Sequence, residues 1–284
     1  MVMTYRRALV WGNSTLKEHG IDSSIDARVL LCHAAGIDSL KLALCMSDEI
    51  EKSVYSKFCE FIYRRMRHEP VSYITGEREF MELVFKVQKG VLIPRPETEH
   101  TVEYIISLFH GKKAHILDMC TGSGAIAISL AKYLPDSTIT AVDISEIAIE
   151  TASSNAAFHN VSDRVNIVCS DALLMRKCDK KYDVIVSNPP YIPNEVVKSL
   201  EADVRDFEPH TALCGGDDGL VFYRAITKNA PYMLKKGGLL VYEVGHDQSE
   251  QVSDIMKQSF ENIGFEKDLA GINRVVHGTL KEEN

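Results

Sequence analysis

Residues 118–131 read DMCTGSGAIAISLA, and the fold turns on how that stretch is understood. It closes an apolar run, AHILDM (114–119), passes two glycines and opens into small and branched apolar residues. Gly122 and Gly124 allow a sharp turn and close backbone approach to a ligand, and the N–H groups beyond them favour a polar or anionic partner. A strand that runs through such a loop into a helix is the opening unit of a doubly wound sheet.

Strands and helices alternate outward from this loop. The predicted strands are 114–120, 138–143, 165–169, 182–187, 238–244, 265–269 and 273–279, and the predicted helices 124–134, 146–158, 219–234 and 247–262. ITAV, DVIV and LLVYEV are nearly continuous hydrophobics, as strands covered on both faces should be. The pattern predicts an α/β, Rossmann-like, mostly parallel seven-stranded sheet with ligands at the strands' carboxyl ends. Only Gly271 and Ile272 are central to the last connection, too short for a helical crossover, so the final pair is an antiparallel hairpin.

Upstream the texture differs. Residues 1–70 carry apolar positions at mixed three and four spacing and form a small all-helical domain closed by Pro70. Within it, Ser47-Asp-Glu-Ile-Glu reads as the capped start of a helix ending near Arg67. Residues 71–93 read as a β-hairpin linker, and a helix from about Glu97 to Gly111 opens the third segment, 94–284.

Composition excludes several classes. The 284 residues are 45% hydrophobic and 25% charged, with no apolar run near the roughly 20 residues of a membrane span and no secretory h-region. The seven cysteines (Cys32, Cys45, Cys59, Cys120, Cys169, Cys178, Cys214) never form a C-x-x-C pair, which fits reduced thiols in a cytoplasmic protein and argues against a metal site. The net charge is −8; residues 1–80 balance at 11 basic and 11 acidic, so the excess lies in 81–284 and disfavours bare duplex DNA. Arg64, Arg65, Arg67 and His68 form the one dense basic patch, a solvated helix end or a docking point for an acidic partner.

Asp143 ends the second strand of the sheet, where an acid suits the ribose hydroxyls of a nucleoside. A nicotinamide cofactor and S-adenosylmethionine both fit that far. Asp118 tips the balance, since a carboxylate there repels a pyrophosphate and suits an ammonium and a sulfonium; its other reading is an acid capping its own loop. Asp171 adds a third carboxyl end at SDAL (170–173).

The fourth strand of the sheet runs into VSNPPYIP (186–193). Asn188-Pro189-Pro190 can neither extend a sheet nor open a helix, so the chain is held stiff and extended. The Asn188 side-chain oxygen and the Pro189 carbonyl are two acceptors at fixed spacing, able to grip both N–H groups of a planar nitrogen while Tyr191 packs against it. The competing reading is an ordinary Asn-Pro turn.

DMCTGSGAIA, AVDIS, SDAL and SNPPYI resemble the motifs of class I S-adenosylmethionine methyltransferases acting on planar nitrogens. EPVSYITGEREF (69–80), LIPRPETE (92–99), EPHTALCGGDDGLVFYRAI (208–226), LLVYEVGHDQ (239–248) and DLAGINRVVHG (268–278) narrow this to a resemblance to the PrmC/HemK family. That resemblance implies a class I methyltransferase domain behind an N-terminal helical substrate-recognition domain. It also implies methyl transfer from S-adenosylmethionine, leaving S-adenosylhomocysteine, to the N5 amide of the Gly-Gly-Gln glutamine of peptide chain release factors. It assigns Asn188, Pro189, Pro190 and Tyr191 to catalysis and the substrate amide, and Cys120, Thr121, Gly122, Ser123, Gly124, Asp143, Asp171, Ala172 and Asn188 to the cofactor, with Arg95 and Glu97 on the wall nearby. The family usually has glycine where Cys120 stands. The rival readings are a glutamine methyltransferase of a ribosomal protein, an adenine-N6 DNA enzyme, a nicotinamide-dependent oxidoreductase and a binding module without catalysis.

Overall fold

The computed structural model describes residues 2–21, 24–176 and 181–282; Cys178 lies outside them. The chain forms two compact units, Met1–Glu77 with Glu201–Phe207, and Arg78–Leu200 with Glu208–Asn284. The first unit therefore takes in residues past the expected boundary at 70, together with a short segment from much later in the chain.

The first unit is built from helices Tyr5–Glu18, Ser24–Ala35, Ser39–Leu44, Lys52–Arg65 and Val71–Thr75. Thr4 and Asp38 cap two of them through their side-chain oxygens, accepting from Arg7 N at 3.4 Å and Lys41 N at 2.7 Å. Leu16, Leu30, Leu31, Phe58 and Ile62 form the dry interior. The helix predicted to start at Ser47 begins at Lys52, behind Glu51, and Val71–Thr75 is helical where a hairpin is expected. Two arginines of the basic patch are paired with carboxylates. Arg64 pairs with Glu69 at 2.5 Å, and Arg65 with Asp26 at 2.7 Å and Asp203 at 2.8 Å.

The second unit opens with a hairpin, β1 (Glu77–Phe80) and β2 (Leu83–Lys86), turned by Met81 and Glu82 at positive φ. A seven-stranded sheet follows: β3 (His115–Met119), β4 (Thr138–Asp143), β5 (Val165–Cys169), β6 (Tyr182–Ser187), β7 (Leu234–Glu243), β8 (Phe260–Lys267) and β9 (Asn273–Leu280). Its order is β5-β4-β3-β6-β7-β9-β8, with β9 antiparallel to both neighbours and every other pair parallel. Helices Glu99–Phe109, Ala125–Tyr133, Glu146–Phe158, Val221–Asn229 and Ser249–Met256 cover the faces, which is why β3 and β6 are apolar almost throughout.

Two boundaries differ from the sequence expectation. The helix predicted over 219–234 gives way to a 3-10 turn at Ala230–Tyr232 around Pro231, which lacks an N–H to continue it. The helix predicted over 247–262 stops at Met256, and β8 already starts at Phe260, because pairing with β9 outweighs helical periodicity there. Among the described residues no helix is long and apolar enough to cross a membrane.

Strand order reverses between β3 and β6: successive connections after β3 run one way to β4 and β5, and β6 then returns to the other side of β3. An open sheet parts its loops at such a switch point and leaves a crevice at the carboxyl ends. The loop after β3 is the glycine loop, and the chain after β6 is Asn188-Pro189-Pro190.

Candidate functional site

A cavity of about 520 Å³ opens at this crevice, lined from the β3 loop by Cys120, Thr121, Gly122 and Ser123, from β4 by Asp143, and after β5 by Asp171 and Ala172. Asn188 and Pro190 line it after β6, Arg95 and Thr98 before the first helix of the unit, and Pro209, His210, Thr211 and Ala212 complete the wall. Of the sequence-predicted site residues, Gly124, Pro189 and Tyr191 do not line it, and neither does Glu97. A side chain at Gly124 would meet Ile128 and Ala152, so that position serves the seating of the helix that follows.

Asp118 does not reach the cavity. It is wholly buried, and its Oδ2 accepts from Thr121 Oγ1 at 2.5 Å and from Ala127 N at 3.2 Å. Burial pushes its carboxyl up to about 7. It is the acid that caps its own loop, so two carboxyl ends face the cavity where three are expected. Asp143 is one of them: its Oδ2 accepts from Gly122 N and its Oδ1 from Ser145 N, each at 2.9 Å, which holds the carboxylate at the mouth of β4. Asp171 is the other, turned by a 2.8 Å bond from Leu173 N.

The glycine loop is held from outside as well. Asn155, wholly buried on helix Glu146–Phe158, donates to the Ser123 carbonyl at 2.9 Å. It also brackets Lys86, accepting from its N–H at 2.9 Å and donating to its carbonyl at 3.0 Å. The hairpin β1–β2 is thus fastened to the same side chain that fixes the loop.

The Asn188 ledge is clamped. Gln248 Nε2 donates to the Tyr191 carbonyl at 2.9 Å, and Ile192 pairs with Cys214 in a parallel bridge. Gly219, at φ +74°, lies so close that a Cβ would stand 2.3 Å from the Tyr191 carbonyl oxygen. Gly215 and Gly219 of CGGDDG let that segment lie against the ledge backbone. Tyr191 is partly buried and packs against the core cluster that includes Tyr242 and Val244. The double proline therefore stiffens a ledge whose position is set by residues 213–219 and 248.

Asn188 Nδ2 donates to Thr98 Oγ1 at 3.2 Å, so its Oδ1 is left for the cavity. The Pro189 carbonyl accepts no hydrogen bond from the described residues. Thr98 is 5% exposed, and nearby Glu243 is 2% exposed, with a carboxyl that burial pushes up to about 7. Arg95 is held by a 2.6 Å ion pair with Glu208. Sequence reasoning missed Thr98, Glu243 and Gln248, although an acid at the end of the apolar run LLVYE is a visible signal.

Cys120 sits at φ +63° with its thiol half-buried against the core cluster beneath the cavity. Burial pushes the thiol well above its usual range, which leaves it a poor nucleophile.

Residues 7–76 match the family model of the PrmC N-terminal domain, and residues 93–203 that of the methyltransferase small domain. A release factor glutamine methyltransferase of Clostridium acetobutylicum is 42% identical over 96% of this chain and 98% of its own length. One from Bacillus cereus is 36% identical over 98% of this chain and 100% of its own. Among solved structures, a methyltransferase from Pyrococcus furiosus shares the fold with a TM-score of 0.53 at 20% identity, over 71% of this chain and 90% of that one.

Proposed function

The chain belongs to the release factor glutamine methyltransferases, and on that premise we propose that it methylates the N5 amide of the Gly-Gly-Gln glutamine of peptide chain release factors. It is an S-adenosylmethionine-dependent enzyme with the class I methyltransferase fold. The observation that carries the site assignment is the juxtaposition, across one crevice, of an anchored Asp143 and an Asn188 whose amide nitrogen is already occupied.

The cavity suits the cofactor. Its volume, about 520 Å³, lies in the range of small-molecule sites. No heavy atom stands within 4 Å of where a Cβ would project from Gly122, at φ +56°, so a ligand can approach this backbone directly. A carboxylate has about four acceptor sites, so Asp143 keeps capacity for two ribose hydroxyls after its two backbone bonds. Thr121, Gly122, Ser123, Asp143, Asp171 and Ala172 would hold the nucleoside and its amino-acid arm, with Cys120 beneath them.

S-adenosylmethionine supplies a methyl group on a positively charged sulfur. The chain's own part is positioning. Asn188 Oδ1 and the Pro189 carbonyl accept the two N–H groups of the glutamine amide and hold its nitrogen on line. Such orientation can supply on the order of 7–11 kcal/mol of a barrier. The same two oxygens stabilise the positive charge that grows on nitrogen as the methyl leaves sulfur, and the methylated amide then releases one proton to solvent. Pro190 walls the site, and Tyr191 acts through the clamp that fixes the ledge.

The helical unit is the expected contact for the release factor, and translation places the reaction in the cytoplasm. Incubating the protein with labelled S-adenosylmethionine and a release factor, followed by peptide mapping, tests the assignment. Label on the Gly-Gly-Gln glutamine is expected; label on any other residue would overturn the substrate.

A further inference from the structure

The helix Ser249–Met256 starts behind Gln248, a residue outside the group of serine, threonine, asparagine and aspartate that caps helices well. Its side chain makes no capping bond. Gln248 is 6% exposed and does not line the cavity, yet its carboxamide joins two other segments of the unit. Oε1 accepts from Gly245 N at 3.1 Å, just past the end of β7, and Nε2 donates to the Tyr191 carbonyl at 2.9 Å.

The sense of that amide is determined at both ends. Gly245 presents an N–H and Tyr191 a carbonyl, so a reversed carboxamide would set donor against donor on one side and acceptor against acceptor on the other. Two glycines leave the room it fills. A Cβ at Gly245 would stand 2.8 Å from Oε1, and one at Gly219 would stand 2.6 Å from Nε2.

The peptide that Gln248 grips is the one between Tyr191 and Ile192. Its N–H, on Ile192, donates to the Leu213 carbonyl at 2.9 Å, so both polar atoms of this plane are held. Upstream, Pro190 has no N–H and a fixed φ, so few torsions separate the held plane from the Pro189 carbonyl. Ser187 is tied to Met119 at the other end of the ledge. Asn188-Pro189-Pro190 therefore spans two anchors, and Gln248 supplies the side-chain part of the second. Resting on the assignment of Asn188 and Pro189 made above, we propose that Gln248 is a positioning residue whose directional carboxamide, bonded to Gly245 and Tyr191, sets the ledge at the level where its two oxygens meet the substrate amide.

The test compares Gln248→Met, Gln248→Glu and Asn188→Ala in the full chain with release factor as substrate. Gln248→Met keeps the length of the side chain and loses both bonds. It should lower kcat on the order of 10- to 100-fold, since misplacement by about 1 Å costs about 100-fold. Calorimetry should find its S-adenosylmethionine affinity unchanged within about twofold, because Gln248 does not line the cavity. Gln248→Glu separates the bonds from the packing. A protonated carboxyl accepts from Gly245 N and donates to the Tyr191 carbonyl, whereas an ionised one sets a charged acceptor against that carbonyl. Burial holds the proton on such a carboxyl to higher pH. Its kcat relative to the parent should lie within a few-fold at pH 5 and fall toward the Gln248→Met value by pH 9, a trend that lost packing would not produce. A ratio that stays flat between those limits overturns the proposal. Should Gln248→Met fail to fold by circular dichroism, the Gln248→Glu ratio decides. Parental kcat in folded Gln248→Met, with Asn188→Ala inactive, overturns the role of Gln248 and leaves the site standing. Parental kcat in Asn188→Ala overturns the site and, with it, the proposal.

Discussion

Met119 and Ser187 are register partners at the ends of β3 and β6, and the Ser187 hydroxyl donates to the Met119 carbonyl at 2.7 Å. The bond ties the last residues of two adjacent parallel strands just where each leaves the sheet. Cys120 and Asn188, the next residue on either side, are thereby launched from a common level into the crevice. Ser187 is wholly buried, so Ser187→Ala removes one hydrogen bond without exposing surface. The expected loss is about 1 kcal/mol in urea unfolding, with a larger proportional loss in kcat than in cofactor affinity. An unchanged kcat would mean that the ledge is aligned without this tie.

Gly122 and Gly219 both sit at positive φ and predict opposite phenotypes. A Cβ at Gly122 meets no heavy atom within 4 Å and points into open cavity. Gly122→Ala should keep the fold, at a strain cost of about 1–2 kcal/mol, and weaken S-adenosylmethionine binding by calorimetry. A Cβ at Gly219 would fall 2.3 Å from the Tyr191 carbonyl oxygen, where backbone has to move. Gly219→Ala should cost about 2 kcal/mol or more and displace the ledge, seen as a fall in kcat that added cofactor does not correct. The reverse assignment of the two phenotypes would contradict the geometry.

Asn155 spends three of its four hydrogen-bonding positions on backbone, accepting from Lys86 N and donating to Lys86 O and Ser123 O. Asn155→Ala leaves all three groups without that partner, the Ser123 carbonyl among them in a buried contact. A loss of about 2–4 kcal/mol in unfolding free energy is expected, with weaker S-adenosylmethionine binding because Ser123 is released. Limited proteolysis should cut first in β1–β2, which would have lost its fastening. Parental cofactor affinity in the folded variant would show that the loop holds itself.

Cys120 carries a side chain in a left-handed conformation that suits glycine. A β-branched residue is far less tolerant of it, so Cys120→Val should lower the melting temperature and weaken cofactor binding, while Cys120→Gly should fold and turn over. Because burial keeps the thiol protonated, Cys120→Ser should also retain activity. Loss of activity in Cys120→Ser with cofactor bound would give the thiol a chemical role.

The order of elements in the sheet is legible in sequence because strand, glycine loop and helix are local patterns. Asp143 is legible for the same reason: it stands at a strand end at nucleoside spacing. Asp118 has the same local context, yet burial and bonds from Thr121 and Ala127 make it structural, and burial is a property of the whole fold. The Ser47 cap and the long helix to residue 262 fail because good local signals lose to tertiary pairing. Thr98 and Glu243 lie in motifs that the sequence displays. The bond from Asn188 to Thr98 joins residues 90 positions apart, so it exists only once the fold brings them together.

The last prediction concerns stability against pH and rests on Asp118. Its carboxyl is pushed up to about 7 from an ordinary value of 3.8, because burial outweighs the bonds from Thr121 and Ala127. Between those values the native state holds a proton that the unfolded chain gives up. Stability rises with pH only where the unfolded state binds more protons, so this group's contribution is present in acid and is lost as pH climbs through about 7. Glu243 is pushed up to about 7 in the same direction and adds to the decline. Asp183, Asp218 and Asp268 are shifted downward, so their effects fall below the ordinary carboxylate range and outside this window. Urea midpoints measured at pH 5 and pH 8 should therefore drop more in the parent than in Asp118→Asn, and least in Asp118→Asn combined with Glu243→Gln. Parallel declines in parent and double variant would mean that these carboxyls are ionised in the native state at pH 5 and that the buried acid beneath the glycine loop is compensated by contacts other than those described.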